Sequence, residues 1–296
     1  MISLQKRLSE SNNKQYFSII IPSWNNISYL QLCIKSIQEH SHYKHQIIVM
    51  VNEGKDGTYE WVKSHKDIDF VYSEENIGIC YGLNACRSLI QTEYVLYAND
   101  DMYFLPEWDL VIWNEIQSIG NNYFMLSSTM IEPFDTGNPC VIVQDYGTSI
   151  DTFKESDLLK EYKRQAKTDW YGSTWPPNVL SLEVWDLVGG MSPEFSPGMY
   201  SDPDLAKKLW DLGVRHFKGM GNSRVYHFGS KSTKRIKKNK GNIQFLFKWG
   251  IDSGTFTSYY LKRGEPFSGI LSTPVIPYTR KIKCWFKKIR KIWNYK

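Results

Sequence analysis

A chain of 296 residues can bury a full core, as one large α/β domain or as two smaller ones. With 42% hydrophobic and 23% charged residues it has the make-up of a globular protein, and no run approaches the ~20 apolar residues of a membrane-spanning helix. The net charge of +5 conceals a split: residues 231–296 carry 17 Lys/Arg against two acids, and the preceding 230 carry 19 Lys/Arg against 29.

An acidic body with a basic tail implies that the tail meets an anionic surface, a membrane or a nucleic acid. The 11 Trp and 19 Tyr suit a protein that stacks on sugar or base rings, and equally an ordinary aromatic core. Cys33, Cys80, Cys86, Cys140 and Cys284 are odd in number and lack metal-ligand spacing, so reduced thiols in a reducing compartment are expected. The stretch MISLQKRLSESNNKQ has no apolar segment of the kind a signal peptide needs. A cytoplasmic protein is expected, peripheral on the cytosolic face of a membrane if the tail binds one.

Along the chain, Phe17–Pro22 (FSIIIP) is a continuous apolar run, as in a strand buried on both faces. Leu30, Cys33, Ile34 and Ile37 then recur at helical spacing. Gln46–Val51 reads as a second strand, followed by the turn Lys55-Asp56-Gly57 and a helix. Asp69–Tyr72 is a short third strand, with a helix through Leu83, Cys86 and Leu89 behind it. Tyr94–Ala98 is a fourth, ending in Asn99-Asp100-Asp101. This βαβαβαβ order predicts a mostly parallel sheet with right-handed crossovers. Residues 132–178 read as loops with one or two strands near Cys140–Val143, and Asp202–Leu212 as a helix. Val214–Gly219 and Arg224–His227 read as two short strands, and 231–240 as a mobile basic loop.

Ligands bind beyond the carboxyl ends of the strands in such sheets. Three polar clusters fall there: Ser23-Trp24-Asn25, Asn52-Glu53 and Asn99-Asp100-Asp101. Three adjacent oxygen-bearing side chains repel one another unless a cation neutralises them, and Mg²⁺ or Mn²⁺ prefers such oxygens together with substrate phosphates. The plainer alternative is a helix cap ahead of Pro106-Glu107. Asp202 and Asp204 flank Pro203, which fits helix initiation as well as catalysis. His227, as a lone histidine, reads by itself as structural.

Six segments in order resemble the family 2 glycosyltransferases over roughly residues 16–230. They are SIIIPSWNN at 18–26, DGT at 56–58, NIGICYGLN at 76–84, EYVLYANDDM at 93–102, GGMSPEF with YSDPDLAKKLWDLG at 189–213, and VYHFGS at 225–230. The resemblance implies a GT-A-type, Rossmann-like mixed but mostly parallel sheet flanked by helices, as an α/β domain over 1–230 with a basic C-terminal helical extension over 231–296. It also implies an inverting, metal-dependent transfer of a sugar from a nucleotide-diphosphate sugar to a glycan or lipid-linked acceptor, as in surface polysaccharide assembly.

Residue by residue, the resemblance makes Asp101 the ligand of Mn²⁺ or Mg²⁺, places Asp100 by the ribose or donor sugar, and puts Asn99 where the family often has Asp. Pro22, Ser23 and Trp24 match the turn under base and ribose, with Asn25 beside them. The family's acid after the second strand falls on Val51 or Asn52, which leaves the base open. Asn76, Gly78 and Asn84 match a segment lining the donor diphosphate, although Asn76 also fits an ordinary loop and N-cap. Asp202 matches the general base, with Ser201 in place of the first acid of the pair and Asp204 as fallback. A positioned carboxylate is chemically needed because sugar hydroxyls are poor nucleophiles near neutral pH. His227 matches a residue that ligates the metal or touches the diphosphate, and Lys231 and Lys234 could cover the phosphates.

Thr279–Lys296 places Ile282, Trp285, Phe286, Ile289 and Trp293 on one helical face among eight basic residues. It reads as an in-plane membrane anchor, with RNA binding or a plain solvated helix as weaker alternatives. A nucleotidyltransferase is a rival reading, but 23–30 (SWNNISYL) lacks the Gly-rich basic loop such enzymes use. A non-catalytic membrane or RNA-binding protein would explain the tail but not the carboxylates.

Overall fold

The computed structural model describes residues 3–9, 14–229 and 239–293, with Trp293 as backbone only. The expected mobile loop falls mostly on 231–238, and Lys231 and Lys234 with it, outside the described residues. The strands are β1 (Leu4–Arg7), β2 (Ser18–Trp24), β3 (Gln46–Asn52), β4 (Asp69–Ser73), β5 (Tyr94–Tyr97), β6 (Met102–Phe104), β7 (Phe124–Glu132), β8 (Ile142–Val143), β9 (Trp170–Tyr171), β10 (Asn178–Ser181) and β11 (His216–His227). The helices are α1 (Ile27–His40), α2 (Thr58–Ser64), α3 (Gly78–Cys86), α4 (Trp108–Ile119), α5 (Glu155–Glu161), α6 (Leu182–Leu187), α7 (Ser201–Leu212), α8 (Gly241–Trp249), the single turn α9 (Ser253–Thr255) and α10 (Tyr278–Trp293).

One sheet runs in the order β1-β4-β3-β2-β5-β10-β7-β11-β6. Strands β4, β3, β2 and β5 are mutually parallel, and β11 is parallel to β7. Because β10 is antiparallel to both β5 and β7, those two neighbours also point the same way. With β8, which pairs parallel to β7, seven strands therefore share one direction, and β1 and β6 close the edges antiparallel. This is the mixed, mostly parallel α/β sheet that the strand–helix alternation predicts.

The two-residue period of the buried strands sorts side chains to opposite faces. Ile20, Ile48, Met50, Val71 and Val95 meet α3, α6 and α7 on one side. Ile19, Ile21, Val49, Val51 and Leu96 meet α1 and α4 on the other, where Leu30, Cys33, Ile34 and Ile37 form the expected stripe of α1. Phe245, Phe256, Leu261 and Leu271 join the first of these cores, so residue 230 does not divide the core in two. All five cysteines are buried and unpaired.

Two other expectations are corrected. The two short strands expected at 214–227 are one, β11, whose pairing with β7 shifts register between Met220 and Arg224. Close packing along it requires glycine: a Cβ on Gly219 would lie 1.9 Å from the Trp170 ring, and one on Gly221 2.0 Å from the Lys167 carbonyl. Residues 132–178 hold α5, β8 and β9 as well as loops.

Candidate active site

Across the C-terminal edge of the sheet lies a cavity of about 660 Å³. It is lined by Pro22, Ser23 and Trp24 from β2, Asn52 from β3, Asn76 ahead of α3 and Gly78 at its start, and Asn99, Asp100 and Asp101 after β5. Glu132 from β7, His227 from β11 and Asp202 from α7 add to the polar wall. The chain leaves β5 at Tyr97, crosses this edge through Asn99–Asp101, and pairs again as β6, where Met102 lies opposite His227. That crossing brings Asp101 against the end of β11, with the Phe228 amide donating to the Asp101 carbonyl at 3.1 Å.

The buried Ser23 hydroxyl donates to the Asp100 carboxylate at 2.8 Å, which fixes Asp100 against the end of β2. His227 Nε2 stands 3.4 Å from Asp101 Oδ1, and its Nδ1 lies 2.7 Å from Glu132 Oε1. Burial alone would lower the His227 pKa, but the Asp101 and Glu132 carboxylates outweigh it and hold the value at about 10. The two carboxylates thus favour a positive charge at this point, which a proton on Nε2 or a divalent ion replacing that proton can supply.

The donor set fits a hard divalent ion. Two ligands about 2.1 Å from one cation stand about 3 Å apart when they are at right angles, near the separation of Asp101 Oδ1 and His227 Nε2. Glu132 would then hold Nδ1–H and orient the ring, as outer carboxylates do for metal-bound imidazoles. Among the described residues no group of three or more His, Cys, Asp or Glu can hold a metal ion, so the remaining positions would fall to phosphate oxygens and water.

Asp202 is half-buried in the first turn of α7. Among the described residues nothing donates to its carboxylate, and burial pushes its pKa from 3.8 up to about 7. A carboxylate with that affinity accepts a proton near neutrality. The loop that leads into α7 is held tightly against the start of α3. The Ile79 amide donates to the Pro197 carbonyl at 3.0 Å. Gly78 (φ +76) has no room for a Cβ, which would lie 2.3 Å from Ser196 Oγ.

Three of the expected contacts fall outside the cavity. Asp204 is fully buried, accepting from Trp249 Nε1 at 2.8 Å and pairing with Lys248 at 2.9 Å, which docks α8. Asn84 clasps the backbone of Met191 through both amide atoms. Asn25 donates to Glu53 and accepts from the Lys55 amide, bracing the loop after β3. Of the two positions expected for the family's acid, Asn52 faces the cavity and accepts from the Ile77 amide, while Val51 is in the core. Asn76 lines the cavity but spends its carbonyl on the Gly78 amide, as the loop alternative expects. Glu132 is the residue that sequence reasoning missed.

The sequence profile of glycosyl transferase family 2 matches residues 18–167, half of the chain. TuaG of Bacillus subtilis (strain 168), assigned as a teichuronic acid biosynthesis glycosyltransferase, is 30% identical over 95 residues, covering 31% of this chain and 38% of TuaG. Among solved structures, Staphylococcus aureus TarS (1–349) with UDP superposes with a TM-score of 0.52 at 13% identity, over 72% of this chain and 60% of that one. GalNAc-T7 with UDP, GalNAc and Mn²⁺ gives 0.57 at 12% identity, over 84% and 51%. The chain therefore spans little more than a third of TuaG and between half and three fifths of these structures. The architecture is the GT-A fold of nucleotide-sugar transferases. The chain belongs to glycosyl transferase family 2.

Proposed function

We propose that the protein transfers a sugar, with inversion, from a nucleoside-diphosphate sugar to an acceptor hydroxyl in cell-surface polysaccharide assembly. The observation that carries this reading is the convergence on one cavity of the Asp101–His227–Glu132 chain and of Asp202, whose high-pKa carboxyl has no donor among the described residues. Structures of similar fold hold UDP, UDP-GlcNAc or UDP with GalNAc and Mn²⁺, which supports a nucleotide sugar as donor.

A divalent cation on Asp101 and His227 would neutralise the charge that develops on the leaving diphosphate. Ser23 and Asp100 would seat the ribose, and Asn52 would fix the loop that covers the diphosphate. Asp202 would take the acceptor's hydroxyl proton as the oxygen attacks the anomeric carbon from the face opposite the leaving group. The test is to screen nucleotide sugars for Mn²⁺-dependent turnover in the wild type and in Asp101→Ala. Turnover is expected to fall by 10²-fold or more, as for removal of an electrostatic stabiliser. Near-normal turnover in D101A would sink the proposal.

The tail supports a membrane-proximal acceptor. On α10, Cys284 is buried and lies against Thr255 at 3.6 Å, Arg280 donates to Thr255, and Lys287 pairs with Asp252. The face turned away exposes Ile282, Trp285, Phe286 and Ile292 among lysines. Among the described residues no helix is long and apolar enough to cross a membrane, so the expected mode is in-plane adsorption. Wild type should co-sediment with vesicles containing phosphatidylserine, and Trp285→Ser/Phe286→Ser should not. Equal retention of both, or binding to RNA in place of vesicles, would remove the membrane from the proposal.

A further inference from the structure

Carboxylates dominate the cavity wall at Asp100, Asp101, Glu132 and Asp202. Across from the nucleotide turn the wall carries a cation, Arg263. Its guanidinium lies 4.6 Å from the centre of the Trp175 ring, itself part of the wall. Among the described residues no carboxylate or carbonyl takes its side-chain N–H groups. A guanidinium offers five donors in a planar fork, and stacking on an aromatic ring leaves that fork available to a carboxylate or phosphate.

The position is built. The Arg263 amide donates to the Thr257 carbonyl at 3.0 Å, and the Gly264 amide to the Tyr171 carbonyl at 2.9 Å. Gly172, at φ +96, lets the turn approach so closely that a Cβ there would lie 2.7 Å from Arg263 Cα. Gly264, at φ +85, is wedged in the same way against Pro139. A cation whose backbone is locked from both sides loses little freedom when it binds.

Sheet order says which substrate it meets. Ser23 and Asn52 end β2 and β3, on one side of β5. Trp175 precedes β10, on the other side of β5, and the Gly172 amide bonds to Phe217 on β11. Arg263 is thus separated from the nucleotide turn by the Asp100–Asp101 crossing. His227 ends β11 on this same side, so the order sets Arg263 apart from the base and ribose, and nucleotide affinity in R263Q decides between the diphosphate and the acceptor.

We propose that Arg263 forms an anion subsite on the acceptor side of the cavity, so that the acceptor carries a phosphate or carboxylate near the hydroxyl that is glycosylated. This rests on the transferase reading above. The fork would bind that group bidentately and hold the neighbouring hydroxyl before Asp202.

The experiment compares wild type with Arg263→Gln, each saturated with Mn²⁺ and the tightest binder among UDP, GDP, CDP and dTDP. Glycerol 3-phosphate and methyl β-glucuronide are titrated against glycerol and methyl β-glucoside by saturation-transfer NMR. The anionic probes should bind wild type at least about tenfold more tightly than the neutral ones, and R263Q should erase the difference, as for a lost charge-assisted pair. Nucleotide affinity should stay within about twofold. Equal binding of charged and neutral probes, or a preference that survives R263Q, overturns the subsite. A tenfold loss of nucleotide affinity in R263Q, or of UDP-glucuronate relative to UDP-glucose, moves the residue to the donor and also overturns it. Failure of all four nucleotides to bind wild type would instead refute the transferase reading.

Discussion

Asp202→Asn separates catalysis from stability in opposite directions. The carboxyl has a pKa of about 7 in the fold against 3.8 as its ordinary value, and burial is the cause. An acid whose folded pKa is raised favours the native state only while it is protonated. Below pH 4 it is neutral folded and unfolded alike, so wild type and D202N should be equally stable there. Between pH 4 and pH 7 the unfolded chain ionises and the folded one does not, and the wild-type fold loses stability steadily. Above pH 7 the loss levels off at about three pKa steps, or about 4 kcal/mol at about 1.4 kcal/mol per step. The amide has no charge to bury, so D202N should gain up to that amount at pH 8. At about 2.1 cal/mol/K per residue over this chain, that corresponds to a rise of about 6 °C in Tm. Turnover should meanwhile fall by about 10²–10⁴-fold, and the residual rate should lose the wild-type rise through pH 7. Differential scanning calorimetry at pH 4 and pH 8, with kcat/KM profiles, measures both. A variant that is less stable at pH 8 would make Asp202 a helix-capping residue, and one that keeps activity within tenfold would remove it from the chemistry.

Three further outcomes follow from the same geometry. Asp204→Ala leaves the Trp249 indole N–H and Lys248 without their shared acceptor, and should destabilise the fold by about 2–3 kcal/mol in urea denaturation. Activity per folded molecule should remain, and a selective loss of turnover would restore Asp204 as base. Glu132→Gln weakens the hold on His227 Nδ1 and should reduce Mn²⁺ affinity about 10–100-fold, read by electron paramagnetic resonance. Unchanged affinity would show that Glu132 does not orient the ring. Gly78→Ala forces a Cβ to within 2.3 Å of Ser196 Oγ at a positive φ, so it should raise the donor KM and lower kcat together by displacing the Asp202 loop.

The donor half of the site was legible because β2 to β5 are continuous apolar runs whose ends must lie on one edge, so Ser23, Asn52 and Asp101 meet by topology. Glu132 was not legible. Its strand reads Phe-Met-Leu-Ser-Ser-Thr-Met-Ile-Glu, and the hydroxyl run at its centre hides a buried strand. Those hydroxyls find partners that are remote in sequence: Ser127 with Ser173 at 2.5 Å, Ser128 with Ser223 at 2.6 Å, and Thr129 with the Met220 carbonyl at 2.8 Å. Arg263 was hidden for a different reason. It lies among the basic residues of the C-terminal region, where a net charge suggests a surface, yet the Gly172 and Gly264 contacts draw it back to the cavity wall.

The Asp202/Asp204 pair marks the boundary between the two cases. Residues two apart on an α-helix point about 200° from each other, so one cavity cannot be served by both. Asp202 lies near the stripe of Leu205 and Leu209, which turns it towards the sheet edge. Asp204 falls with Lys207 and Asp211 on the polar side, where the sequence of α7 alone predicts exposure. It is buried because α8 covers it, with Trp249 and Lys248 supplying the donors. Local periodicity could separate the two acids, but only the packing of a segment more than forty residues away turned the second into a structural anchor.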